Sequence, residues 1–189
     1  MTQPSLRPQD VVVLARLIAH GGPRPSFAEL ARDLFMSSSE VHASMRRLTE
    51  ARLVFQDAHD ARTLVDAVEE FLVHGVRYAF PARRGQVTRG MPTAYAAPPL
   101  SSEILAGTEP PPVWPDPKGT VRGVGLEPLY RTVPAAAGRD AKLYEVLALI
   151  DVLRDGRSRE RKLAEKHLHA RIHGGQSNRP QPRTSRARR

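Results

Sequence analysis

Three histidines near the C-terminus, His167, His169 and His173, come nearest in this chain to the spacing of a chemical site. His169 and His173 stand at i and i+4, which places two imidazoles on one face of a helix, where they can bind zinc. No carboxylate or thiolate at a matching spacing completes a shell, and arginines and lysines crowd the stretch. The sequence therefore reads them as surface histidines and predicts no metal and no cofactor. His20, His42, His59 and His74 are scattered, and neither a Ser/His/Asp order nor a Gly-x-Ser-x-Gly elbow occurs. Glu69 and Glu70 are consecutive, so on a helix they point to different sides and make a poor acid–base pair. The absence of cysteine excludes disulfides, thiolate metal sites and a cysteine nucleophile. An enzyme is not expected.

The other chemistry on offer is cationic. The 189 residues carry a net charge of +9, with a pI near 10.7, which points toward nucleic acid. Its distribution qualifies that. Arg179, Arg183, Arg186, Arg188 and Arg189 lie in a tail from Gly174 onward that holds no acid, and they supply more than half of the net charge. The first 58 residues hold seven arginines against six acids. Any DNA-binding element there must be recognised by pattern.

Such a pattern exists. Val11, Leu14, Ala15, Leu17 and Ile18 recur at helical spacing over Pro8 to His20, and Gly21-Gly22-Pro23 ends the run. Ser26 with Glu29 forms a capping box that opens a second helix with Phe27, Leu30, Ala31 and Leu34 inside. Ser37 with Glu40 repeats the device at once, so a third helix starts near Ser38 and crosses the second steeply. Val41, Ser44, Met45, Leu48 and Leu53 fall on its buried side. Ser38, Ser39, His42, Ala43, Arg46 and Arg47 fall on the other, small at the start and cationic further on. That order suits a helix whose first turns enter a major groove.

Ser26-Phe27-Ala28-Glu29-Leu30-Ala31, the run from Ser37 to Leu48, and Arg52-Leu53-Val54 resemble the winged-helix regulators of the MarR-like and IclR-like families, over about a quarter of the chain. The resemblance implies a recognition surface over residues 38–47, so that Ser37, Ser38, Ser39, His42, Ala43, Arg46 and Arg47 are the expected DNA-binding residues. A three-helix bundle serving only protein contacts is the alternative. The families also carry a basic β-hairpin after the recognition helix. Here Val54-Phe55 suits a first strand, but Gln56-Asp57-Ala58-His59-Asp60 is short and acidic, and Thr63 to Leu72 reads as another helix. The hairpin is expected to be truncated or absent.

From Gly75 to about Pro134 the chain turns rich in Pro, Gly and Arg, with an internal echo. The run from Phe80 to Gly90 parallels the run from Trp114 to Gly123: aromatic, Pro, a short spacer, Gly, one residue, Val, then Arg-Gly. A short β arm turning at Pro-x-x-x-Gly, with glycine at a positive φ, would explain the spacing. The echo would place Arg89 and Arg122 at equivalent positions. Arg77, Arg83 and Arg84 add a local basic patch, for phosphate or for an acidic partner; chance similarity or a purely structural duplication is the alternative. Gly75 to Pro81, Thr88 to Ala94 and Leu143-Tyr144-Glu145 resemble small bacterial regulators encoded beside toxin-like enzymes, where the regulator doubles as antitoxin. That resemblance implies a protein partner encoded nearby.

Asp140 caps a helix that is apolar over most of its circumference, from Leu143 to Leu153, and so either is buried or lies at a dimer interface. Ser158 to Ile172 forms a further helix dense in opposite charges, a solvated face. The expected fold is mainly α with a small β component. A helix-turn-helix domain occupies residues 1–74, a β/loop subdomain 75–134, a helical pair 135–173, and a disordered basic tail 174–189. No stretch suits a spanning helix or a secretory signal, and a cytoplasmic protein is expected. The function expected is sequence-specific binding of double-stranded DNA by a homodimeric regulator, a repressor of its own or a neighbouring operon. The alternative is an antitoxin or adaptor that docks a partner through residues 75–134.

Overall fold

Three helices open the chain, each delimited by a local signal. The computed structural model describes residues 5–22, 24–57, 61–105 and 107–174; the expected disordered tail lies almost wholly outside them. Helix α1 (Pro8–His20) starts with proline at its first turn, and Asp10 accepts the Arg7 backbone N–H at 2.8 Å. Gly21, at φ 65°, ends it. Helix α2 (Phe27–Leu34) opens on the Ser26–Glu29 capping box, and α3 (Ser38–Glu50) on the Ser37–Glu40 box.

Beyond α3 the chain differs from its sequence pattern. A hairpin is present, with β1 (Val54–Gln56) antiparallel to β2 (Ala61–Thr63) and Val54 opposite Thr63. It is short, three residues a side. The helix expected from Thr63 starts at Val65 instead, because Ala61 to Thr63 is taken up by β2. That helix, α4 (Val65–Glu70), continues through a π-helical turn at Phe71–Gly75 into α5 (Val76–Ala79). The boundary drawn at residues 74 and 75 thus falls inside continuous helix.

The middle segment closes into a three-stranded barrel: β3 (Arg84–Pro92), β4 (Pro112–Pro115) and β5 (Val121–Leu126). Strand β3 is antiparallel to both others, with Met91 opposite Trp114 and Arg89 opposite Arg122, while β4 and β5 run parallel. The echoed segments do not form equivalent arms. Phe80-Pro81 lies where α5 ends and Gly85 sits within β3, whereas Trp114-Pro115 is strand β4, followed by a turn in which the Gly119 N–H donates to the Asp116 carbonyl at 2.9 Å. Among the described glycines only Gly21 has a positive φ. The barrel glycines serve a different need, which is room: a Cβ on Gly90 would lie 2.1 Å from the Trp114 carbonyl oxygen, and one on Gly123 would lie 2.0 Å from that of Pro111. Three strands close a ring this small only where backbones touch without side chains between them.

Helix α6 (Val133–Ala137) leads to α7 (Ala141–Asp155) and α8 (Ser158–Gly174). Every residue of α7 from Val146 to Leu153 is buried, so this helix is the centre of the chain's own core and offers no dimer face. It packs against α1, α5, α6 and α8. Helix α1 lies between α7 and α3, which is why Asp10 to Ala15 are all buried, a run of six that an amphipathic stripe does not predict. On α8, Ala164, Leu168 and Ile172 form the buried stripe and the charged residues face outward. One contiguous apolar core joins all these helices with Trp114 of the barrel.

A buried carboxylate fastens the barrel to that core. Asp151 of α7 accepts from the Thr93 hydroxyl at 2.9 Å, the Trp114 indole at 2.6 Å and the Arg154 guanidinium at 2.6 Å. Arg154 also donates to the Phe80 carbonyl at 2.8 Å, which ties the end of α5 to α7. Burial raises the Asp151 carboxyl above its ordinary range, and Arg154 with the three hydrogen bonds opposes that rise. No helix among the described residues is long and apolar enough to cross a membrane.

Candidate nucleic-acid interface

The two capping boxes hold α2 and α3 at their N-termini. In the second, the Glu40 N–H donates to Ser37 Oγ at 3.2 Å and the Ser37 N–H donates to Glu40 Oε2 at 2.8 Å. The Tyr130 hydroxyl, arriving from the loop after β5, donates to the same carboxylate. Tyr130 foremost, then the backbone and side chain of Ser37, hold the Glu40 carboxyl down at about 2. Phe35, Met36 and Ser37 are the whole link between α2 and α3. Phe35 takes a left-handed φ of 52°, which turns the chain sharply there.

Of the residues the sequence assigns to DNA, Ser37, Ser38, Ser39, His42 and Arg46 are exposed and Ala43 is half-buried. Phe27 of α2 stacks on the His42 ring at 3.8 Å between centroids, and the Arg24 guanidinium covers the same phenyl ring at 4.4 Å. The imidazole is thereby held against α2 while still exposed. Phe27, Ser39, His42, Ala43, Arg46, Gln56 and Asp57 line an open groove between α3 and the hairpin.

Arg47 departs from the expectation. Its guanidinium turns inward and donates from Nε to Asp10 Oδ2 at 2.7 Å and from Nη2 to Asp10 Oδ1 at 2.6 Å. The Arg47 side chain is 11% exposed and that of Asp10 is fully buried. A bidentate pair with a buried carboxylate fixes the pitch of α3 against α1 and removes Arg47 from any groove contact. Position 47 lies on the flank of α3, where helical spacing alone does not decide between solvent and core. Only the buried acid in α1 decides it.

Four cations missed by pattern surround the face. Arg24 precedes α2, Arg62 of β2 lies over the Phe55 ring at 5.2 Å, and Arg52 follows α3 at a left-handed φ of 56°. Arg131 lies beside the Tyr130 ring, close to where α3 begins. These residues are distant in sequence or outside helices, so no periodicity could have gathered them.

Two cations of the middle segment's basic patch face an acid, and a third lies over a tyrosine ring. Arg84 pairs with Asp155 at 2.8 Å, Arg83 lies 3.9 Å from Glu127, and Arg77 stacks over Tyr78 at 5.3 Å. The acids come from α7 and from beyond β5, not from the stretch itself. Arg89 and Arg122 are brought together, in opposed register on adjacent strands and both exposed.

The C-terminal histidines also meet a partner that sequence spacing does not reveal. His169 Nδ1 donates to Glu69 Oε1 at 2.8 Å, and His173 Nε2 donates to Glu69 Oε2 at 2.9 Å. His167 is separate, bonded to Glu103. The carboxylate that joins the pair comes from α4, a hundred residues earlier, beyond the local spacing in which the sequence shows none. No family model, curated protein or solved structure matches this chain.

Proposed function

We propose that the protein is a sequence-specific DNA-binding regulator that inserts α3 into the major groove. The observation that carries this reading is the outward face of α3. Ser38, Ser39, His42 and Arg46 stand exposed along it, between an N-terminus flanked by Arg131 and a C-terminus followed by Arg52 and the hairpin cation Arg62. Small polar residues at the entering turns give base edges close access, and an arginine one turn further reaches guanine or phosphate. The hairpin acts as a short wing, with Arg62 aimed at the backbone.

Arg52 supports the same reading. Glycine would adopt its left-handed φ at no steric cost, yet a cation occupies the position.

The test is fluorescence anisotropy on an operator recovered by genome-wide footprinting of the tagged protein. His42→Ala with Arg46→Ala abolishes specific binding and leaves the protein folded, its melting temperature lowered only by loss of the His42–Phe27 stack. Arg52→Gly weakens binding while holding stability within ~1 kcal/mol or raising it. Full-strength binding by both variants sinks the proposal. Substituting Arg47 is unsuitable here, since it removes the partner of a buried acid.

A second reading is favoured by one observation, the opposed pair Arg89 and Arg122 beside exposed Val87 on β3. Like charges placed directly across a strand pair repel, and an acidic protein partner would relieve them. Under this reading the protein doubles as an antitoxin or adaptor. Arg89→Ala with Arg122→Ala then abolishes co-purification of the product of the adjacent gene and leaves DNA binding intact.

A further inference from the structure

We propose that Glu69, His169 and His173 form a site for one divalent transition-metal ion of the zinc class, bridging α4 and α8. The donor set is two imidazole nitrogens and one carboxylate. That combination suits zinc and its borderline neighbours, while calcium and magnesium prefer oxygen alone.

The geometry is close to complete before any ion arrives. The three candidate donor atoms lie within 4.8 Å of one another. Both carboxylate oxygens are engaged, one by each ring, at 2.8 and 2.9 Å. Tetrahedral zinc with bonds of ~2.1 Å holds its donors about 3.3 Å apart. Each imidazole–carboxylate distance therefore opens by a few tenths of an ångström, and any donor pair near the 4.8 Å limit closes, as the ion replaces the shared protons. The two rings stand 4.1 Å apart on one face of α8, as the i, i+4 spacing requires.

The scaffold under the donors is rigid. Ala164, Leu168 and Ile172 fix α8 in the core, and Val65 and Val68 fix α4. The donors sit at the rim of this packing, with side chains 57% (His169), 38% (His173) and 30% (Glu69) exposed, so an ion has direct access. The nearest cation in sequence is not in the way. Arg171 donates to Glu145 and to the His167 carbonyl, which turns its charge aside. No fourth protein donor is within reach among the described residues, which leaves that position to water.

Bound there, the ion clamps α8 to the helix that follows the hairpin. A ligand that binds only the folded state stabilises it in proportion to occupancy.

The experiment uses the full chain, tag removed and stripped with chelator, titrated with zinc chloride by calorimetry and with cobalt(II) by visible absorption. Expected are one equivalent bound, cobalt d–d bands of tetrahedral intensity, and a zinc-dependent rise in melting temperature. His169→Ala and, separately, Glu69→Gln weaken binding at least about tenfold, the scale on which even supporting residues of metal sites act. His167→Ala, outside the cluster, leaves it unchanged. Far-UV circular dichroism of each variant verifies that it is folded. Absence of a stoichiometric site overturns the proposal, as does an affinity that all three variants lower equally.

Discussion

Two side chains of α3 show how a single contact redirects a role. Arg47 and Arg46 are neighbours with the same chemistry, and the sequence treats them alike. A buried acid in α1 separates them, leaving Arg46 exposed and tying Arg47 into the structure. Removing one partner of a buried pair strands the other charge, at a cost of about 3–5 kcal/mol. Arg47→Ala therefore lowers the unfolding free energy measured in urea by that much, whereas Arg46→Ala leaves it in place; equal losses would refute the division. Glu40 makes the parallel case for pH. Its carboxyl titrates at about 2, below the ordinary 4.5, because Tyr130 and Ser37 bond the ionised form. A depressed carboxylate contributes stability above its unfolded pKa, and that contribution is lost as the pH falls from about 4.5 toward 2. Tyr130→Phe moves the titration upward toward 4.5 in a carboxyl NMR experiment, with Ser37 still holding it below that value. The capping boxes were legible because their partners are three residues apart. Asp10 with Arg47, Tyr130 with Glu40, and Glu69 with His169 were not, since nothing local announces a partner dozens of residues away.

The elements divide the same way. The starts of helices α1, α2 and α3 were readable to within a residue, because proline and serine mark them; glycine marks the end of α1, and apolar spacing marks the faces of all three. The hairpin was left between truncated and absent, and it is the truncated form: two strands of three residues are too brief for an alternation to register. The barrel was half-read. Its segments were located through the repeated Gly, Val and Arg, but Gly85, expected in a turn, lies within a strand, and the close backbone passage at Gly90 and Gly123 carries no local signal. Hence Gly90→Ala or Gly123→Ala, each forcing a methyl against a carbonyl oxygen, destabilises by about 3 kcal/mol, the upper range for overpacking. Gly85→Ala, whose Cβ meets nothing nearer than 3.8 Å, has little effect. Trp114, the single tryptophan and fully buried in β4, reports the difference as a red-shifted emission in the first two variants only.

At the scale of the whole molecule, α7 is the organising element. It touches α1 on one side and, through Asp151, the barrel on another. Its all-round apolar sequence announced burial, but not that the burial would be against the N-terminal helices rather than a second copy. Segments that sequence composition separates are thus joined in one core. Unfolding should accordingly be a single transition. Tryptophan emission, reporting the barrel, and helical ellipticity, reporting mainly α1, α3, α7 and α8, share one midpoint in urea. Two separated midpoints would show that the barrel melts independently.

The placement of α1 between α3 and α7 also bears on modularity. Helix-turn-helix units are commonly exchanged between proteins as cassettes, which requires that they fold without their hosts. Here that is ruled out by the first helix, whose Val11 to Ala15 run needs walls on opposite sides, one of them supplied only after residue 140. A fragment ending near residue 80 would leave that run uncovered and aggregate, and a chimera that grafts α2 and α3 elsewhere must also bring an acid to meet Arg47. The α2–α3 pair and the helices that support it can be inherited or engineered only together.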